Sequence, residues 1–169
     1  MRSFRAALIA FALLFGMTAT AFSTENAPAQ GPAQGKVMIV LDGSGSMWGQ
    51  IDGTPKIAIA RNAIRALMAD WSPGLELGLS TYGHRRKGDC GDIETLIPLG
   101  AADPQAVIAA VDGIQPKGKT PLSDAVRRAA EEMKYTEDAA TVILISDGIE
   151  TCDADPCAVG AALAESGVA

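Results

Sequence analysis

The sequence predicts an α/β fold, a doubly wound and mostly parallel sheet with helices on both faces. Three observations carry that prediction. Apolar runs of strand length alternate along the chain with apolar repeats of helical period. Two of the runs, Val37-Met38-Ile39-Val40-Leu41 and Val142-Ile143-Leu144-Ile145, are apolar throughout and rich in branched residues, which is how a strand covered on both faces reads. Four times a capping residue stands before a proline, at Thr54-Pro55, Asp103-Pro104, Thr120-Pro121 and Asp155-Pro156. The capping oxygen accepts from an unpaired backbone N–H, and proline has no N–H to lose in the next position, so each pair reads as a helix start.

Taken in order, the first strand is Val37 to Leu41. Pro55 opens a helix with apolar positions Ile57, Ala60, Ile64, Leu67, Met68 and Trp71. Leu75, Leu77 and Leu79 alternate with Glu76, Gly78 and Ser80 and form a second strand. Ile93 to Leu99 is a third, weaker strand. Val107, Ile108 and Val111 follow Pro104; Leu122, Ala125, Ala129 and Met133 follow Pro121. Val142 to Ile145 is the fourth strand, and Val159, Ala162 and Leu163 form a last helix closed by Gly167. Val168-Ala169 read as the start of another strand, so the sheet is expected to be truncated at its C-terminal end.

The first residues stand apart from this pattern. Met1 to Arg5 is a short basic start, Ala6 to Met17 is apolar, and Ala19-Thr20-Ala21 has the small-x-small form of a cleavage site. Residues 1–21 are expected to be a secretory signal peptide. Twelve apolar residues reach about 18 Å as a helix, short of a hydrocarbon core of about 30 Å, so no stable membrane span is expected after cleavage. Residues 22–35, rich in Pro, Ala, Gln and Gly, read as a flexible linker, which leaves 36–169 as the folded domain. The protein is expected to be exported, periplasmic or secreted.

A chain 48% hydrophobic and 20% charged is globular rather than disordered. Its 14 basic against 20 acidic side chains exclude nucleic acid as the main partner, because phosphate binding needs a basic footprint. Removal of residues 1–21 takes Arg2 and Arg5 with it and makes the remainder more acidic still.

In an open α/β sheet, ligands bind beyond the carboxyl ends of the strands. Three polar segments are expected there: Asp42-Gly43-Ser44-Gly45-Ser46 after the first strand, Lys119-Thr120 before the third helix, and Ser146-Asp147-Gly148 after the fourth strand. Every potential ligand atom is an oxygen, which suits a hard cation such as Mg²⁺. Only two carboxylates are offered, and hydroxyls fill the rest, so the site would keep room for an acidic group from outside.

Asp-x-Ser-x-Ser after a buried strand, the later Gly-Lys-Thr-Pro-Leu and an apolar strand ending in Ser-Asp-Gly resemble, in that order, the von Willebrand factor type A domain. The resemblance covers roughly residues 36–169. Tyr82 to Cys90 and Asp147 to Cys152 resemble a bacterial exported subgroup of it. The resemblance implies a metal-ion-dependent adhesion site in which Asp42, Ser44, Ser46, Thr120 and Asp147 hold Mg²⁺, or Mn²⁺ or Ca²⁺, with Asp147 acting through water. The partner it implies is a protein that supplies an acidic side chain, and the function is binding rather than catalysis. The family usually continues with two more strands and a final helix.

A rival reading lies in the same residues. Gly113 to Thr120 matches the P-loop pattern, with Val142 to Asp147 as its second strand. A P-loop must follow a strand, whereas the segment before it has helical spacing, and Pro121 is out of place there. A nucleotide hydrolase is therefore the second choice, beside a structural module whose metal site is unused. Trp48, His84, Arg85 and Arg86 are candidate ligand contacts on the same rim. For Trp48 the alternative is packing, and for the basic loop it is a solvated surface. Of the three cysteines, Cys152 and Cys157 are the favoured disulfide pair, closing a short loop, although Cys90 could also reach this rim.

Overall fold

The computed structural model describes residues 35–72, 74–137 and 139–168. The expected signal peptide, residues 1–21, and all of the expected linker except Gly35 lie outside the described residues. Gly35 itself begins strand β1, Gly35–Asp42. Strands β4 (Leu75–Tyr82), β5 (Ile93–Ala101) and β6 (Ala140–Ile145) complete a four-stranded sheet in the order β5-β4-β1-β6. β1 pairs in parallel with both β4 and β6, and only β5 runs antiparallel, against β4.

The central strand is covered on both faces, as its uninterrupted apolar run predicts. Val37, Ile39 and Leu41 point to one face and meet Ile57, Ala60, Ile64 and Met68 of helix α1 (Lys56–Ala69), with Val107 and Val111 of α2 (Pro104–Gly113). Met38 and Val40 point to the other face and meet Ala125 and Ala129 of α3 (Leu122–Glu132) and Met133 beyond it. The period of two along the strand thus divides the core into two layers. Met38, Ile39, Val40 and Leu41 are wholly buried. Each such side chain contributes about 1.5–3 kcal/mol. Helix α4 (Pro156–Glu165) packs on α3 and buries only Leu163. Val168 forms an isolated parallel bridge to Ala140, which places the chain alongside β6 where a further strand was expected.

Two of the four expected helix caps form. Asp103 accepts from the amides of Gln105 and Ala106, and Asp155 from those of Cys157 and Ala158. The two threonine pairs do not cap. Thr54-Pro55 is instead strand β3, hydrogen-bonded to β2 (Gln50–Ile51) in a small hairpin. Asp52 and Gly53 make its turn with φ of 50° and 80°. An Asp-Gly pair with both residues at positive φ is the two-residue hairpin turn, and it outcompetes the helix start at Thr54. Thr120 is replaced as a cap by a residue distant in sequence. Glu150 Oε2 accepts from the Ser123 amide in the first turn of α3, while its Oε1 accepts from the Cys152 amide. A carboxylate at a helix N-terminus satisfies an unpaired N–H and complements the helix dipole, which leaves Thr120 free to face elsewhere.

Candidate functional site

β1 leads to α1, which packs on one face of the sheet, and β6 leads to α4, which packs on α3 on the other. The chain therefore diverges between the carboxyl ends of β1 and β6, the place where an open sheet leaves a crevice. Asp42 ends β1 and is fully buried. Its Oδ1 accepts from the Ser44 amide at 2.7 Å and its Oδ2 from Ser146 Oγ at 2.7 Å. Behind Ser146 stands Tyr82 at the end of β4, whose hydroxyl donates to Ser146 Oγ at 3.1 Å. Burial pushes the Tyr82 phenol far above its usual range, and the nearby Asp42 carboxylate pushes it the same way. The Tyr82–Ser146–Asp42 chain holds the carboxylate in one orientation.

Ser44 precedes and Ser46 lies on a single 3-10 turn, Gly45–Trp48, which buries Met47. Their hydroxyls are 2.9 Å apart, and Ser46 Oγ donates to Asp147 Oδ1 at 2.8 Å. This turn is stitched to the segment before α3. Ser44 bridges Gly118, the Gly45 amide donates to the Gly118 carbonyl, and the Lys117 amide donates to the Gly43 carbonyl. Gly83 permits that approach: its φ is 67°, and a Cβ there would lie 2.4 Å from the Lys119 carbonyl oxygen. No other residue type tolerates both.

Thr120 is thereby delivered to the crevice. A Cβ built on Gly148 would sit 3.5 Å from Thr120 Oγ1 and 3.6 Å from Asp42 Oδ2, so the two oxygens flank the same small space. Asp42, Ser44 and Thr120 form a buried floor, with Ser46 exposed and Asp147 partly covered at the rim. Over Ser44, Ser46 and Thr120 lies an open depression of about 450 Å³, also bordered by Lys119, Gly148 and Ile149, while Asp147 borders the apolar hollow beside Lys56. All five residues expected from the sequence are brought to this one place. Among the described residues no three His, Cys, Asp or Glu side chains cluster in a way that could hold an ion, so a cation here would depend on the hydroxyls. Two carboxylates and three hydroxyls, with open space above them, fit a hard cation with further ligands from outside.

A profile of the von Willebrand factor type A domain matches residues 37–150 of the sequence. The chain belongs to that family. Two proteins of Bacillus subtilis (strain 168), the uncharacterized proteins YwmC and YwmD, are 29% and 27% identical over 153 and 154 residues. These matches cover 85% and 86% of this chain and 67% and 69% of theirs. Among solved structures, the pilus adhesin SpaC from Lactobacillus rhamnosus GG aligns with a TM-score of 0.59 at 21% identity, over 72% of this chain and 16% of its own. The type V pilus tip protein Mfa5 from Porphyromonas gingivalis aligns at 0.52 and 18%, over 70% and 39%. The SpRpn10 VWA domain aligns at 0.62 and 16%, over 80% and 72%. These likenesses show the type A fold. The chain spans well under half of the two pilus proteins.

The context of the P-loop match is not that of a phosphate loop. Gly113 ends a helix rather than following a strand. The Lys117 and Gly118 amides, which would have to face a phosphate, donate to the Gly83 carbonyl at 3.1 and 2.6 Å.

The remaining rim residues are held by their own neighbours. Trp48 is half exposed, with its indole N–H donating to the Pro116 carbonyl at 2.9 Å. His84 Nε2 lies 2.8 Å from Glu94 Oε2. Arg85 pairs with Asp92 at 2.8 Å and with Glu94 at 3.2 Å, and Arg86 with Asp89 at 2.6 Å. The centre of this loop is Asp92, fully buried and hydrogen-bonded by the Arg85 and Arg86 amides. Neither Asp92 nor Glu150 shows in the sequence as more than a loop acid, because each finds its partners only in the fold.

The disulfide differs from expectation. Cys90 bonds Cys152, with Cα atoms 5.7 Å apart, and Cys157 is free and exposed. The Cys152–Cys157 pairing is corrected for a physical reason. Cys157 is tied into the first turn of α4 by the Asp155 cap, while the Asp92 network shapes the loop that carries Cys90, which lies against Cys152. Pairing across 62 residues is invisible to local spacing.

Proposed function

We propose that this type A domain is a divalent-cation-dependent protein-binding module that acts outside the cytoplasm. The observation that carries the reading is the convergence of Asp42, Ser44, Ser46, Thr120 and Asp147 on one solvent-open crevice. Asp42 and Ser44 make a rigid floor, Thr120 closes one side, and Ser46 and Asp147 border the opening. Mg²⁺, or Mn²⁺ or Ca²⁺, when held there, supplies an electrophilic point for a carboxylate oxygen of a partner. The pilus adhesin and pilus tip protein among the structural neighbours support binding as the role. Binding rather than catalysis is also supported by His84, the single histidine of the chain, which is engaged with Glu94 and leaves Ser44 and Ser46 without a base. Export is supported by the pattern of residues 1–21 and by a disulfide that needs an oxidising compartment. Among the described residues no helix is long and apolar enough to cross a membrane.

Calorimetric titration with MgCl₂ and MnCl₂ tests the reading. Wild-type protein binds the cation, and Asp42→Ala does not while keeping its circular dichroism spectrum. Equal binding by both proteins refutes it.

A further inference from the structure

Lys56 stands outside the expected ligand set but is built into the site. It is the first residue of α1, and its amide donates to the Gly49 carbonyl at 2.8 Å, which closes the β2–β3 hairpin over the serine turn. Its Nζ lies 2.5 Å from Asp147 Oδ2, with the lysine side chain 30% and the aspartate 10% exposed. The aliphatic stem borders an apolar hollow with Met47, Ile51 and Ile59. Both oxygens of Asp147 are thus committed, Oδ1 to Ser46 and Oδ2 to Lys56.

This changes the electrostatics of the crevice. Two carboxylates alone would cancel a dication. With the ammonium present, one carboxylate is already balanced. An arriving dication meets repulsion at short range, and the filled site keeps an uncancelled positive charge. We propose that Lys56 is a resident counter-cation of the site: it weakens divalent binding and leaves the filled site with a charge that favours an anionic oxygen of the partner. The inference rests on the cation-dependent reading above.

The full chain is titrated with MnCl₂ as wild type, Lys56→Met and Lys56→Arg, with Asp42→Ala as the blank. Methionine keeps an unbranched stem in the apolar hollow and removes the charge; Lys56→Gln serves if it fails to fold, as judged by melting without metal. The charge-free variant is expected to bind Mn²⁺ about tenfold more tightly, with Lys56→Arg close to wild type. For the anion, acetate is added to the Mn²⁺-filled proteins and read by water-proton relaxation. Acetate displaces water from the wild type at lower concentration than from the charge-free variant. Equal or weaker Mn²⁺ binding without Lys56 overturns the counter-cation role, and an unchanged acetate response overturns the anion preference. Absence of Mn²⁺ binding in the wild type overturns the cation reading itself, so the two failures are distinct.

Discussion

Thr120 and Thr151 hold one another by two hydrogen bonds. The Thr120 amide donates to Thr151 Oγ1 at 2.8 Å, and the Thr151 amide donates to the Thr120 carbonyl at 3.1 Å. The loop after β6 therefore grips the segment before α3 at the residue that contributes its hydroxyl to the crevice. Thr151→Val keeps the shape and removes the acceptor, leaving the Thr120 amide without its partner. The expected cost is about 1–3 kcal/mol of stability, together with weaker Mn²⁺ binding. Urea unfolding and calorimetry check both. Full retention of stability and affinity would show that the clamp is idle.

One residue further on, Cys152 joins Cys90. Closing a loop of this length is worth about 4 kcal/mol in the chain-entropy account. The Cys90→Ser, Cys152→Ser pair is expected to lose a sizeable part of that, seen as a lower urea midpoint. Mass spectrometry of unreduced protein is expected to find a single alkylatable thiol, at Cys157. A bridge containing Cys157 would contradict the pairing.

Two buried groups are expected to contribute to the pH dependence of stability. Burial alone would raise the Asp92 carboxyl, but the Arg86 amide and the Arg85 guanidinium and amide outweigh it and hold the carboxyl below the usual carboxylate range. Its folded pKa lies below the unfolded one, so its contribution is complete above about pH 3.9 and is lost as pH falls through the folded value. Asp92→Asn is expected to be less stable at neutral pH and to show a flatter acid limb. Tyr82 has the opposite sign. Its folded pKa is raised by burial and by Asp42, so its contribution is complete below about pH 10 and is lost as pH rises beyond it. Tyr82→Phe is expected to flatten the alkaline limb. Unfolding free energies measured across pH decide both, and unaltered slopes in the variants would contradict them.

The sequence by itself determined the α/β class, the two-faced central strand and the five oxygen-bearing residues of the crevice. It could do so because these are local properties: an unbroken apolar run, a period of two or of 3.6, and short motifs at strand ends. The Asp103 and Asp155 caps were legible for the same reason, since an Asx side chain bonds amides two and three residues on. The tertiary structure decided whatever depends on competition between distant groups. Thr54 lost its cap role to the Asp52-Gly53 hairpin turn, whose Asp-Gly signal competes with the Thr-Pro pair beside it, and Thr120 lost its role to Glu150 from beyond β6. Cys152 found Cys90 rather than Cys157, and Lys56 met Asp147 across 91 residues. Such pairings follow from strand order, which carried β1 between β4 and β6 and so placed four separate loops at one end of the sheet.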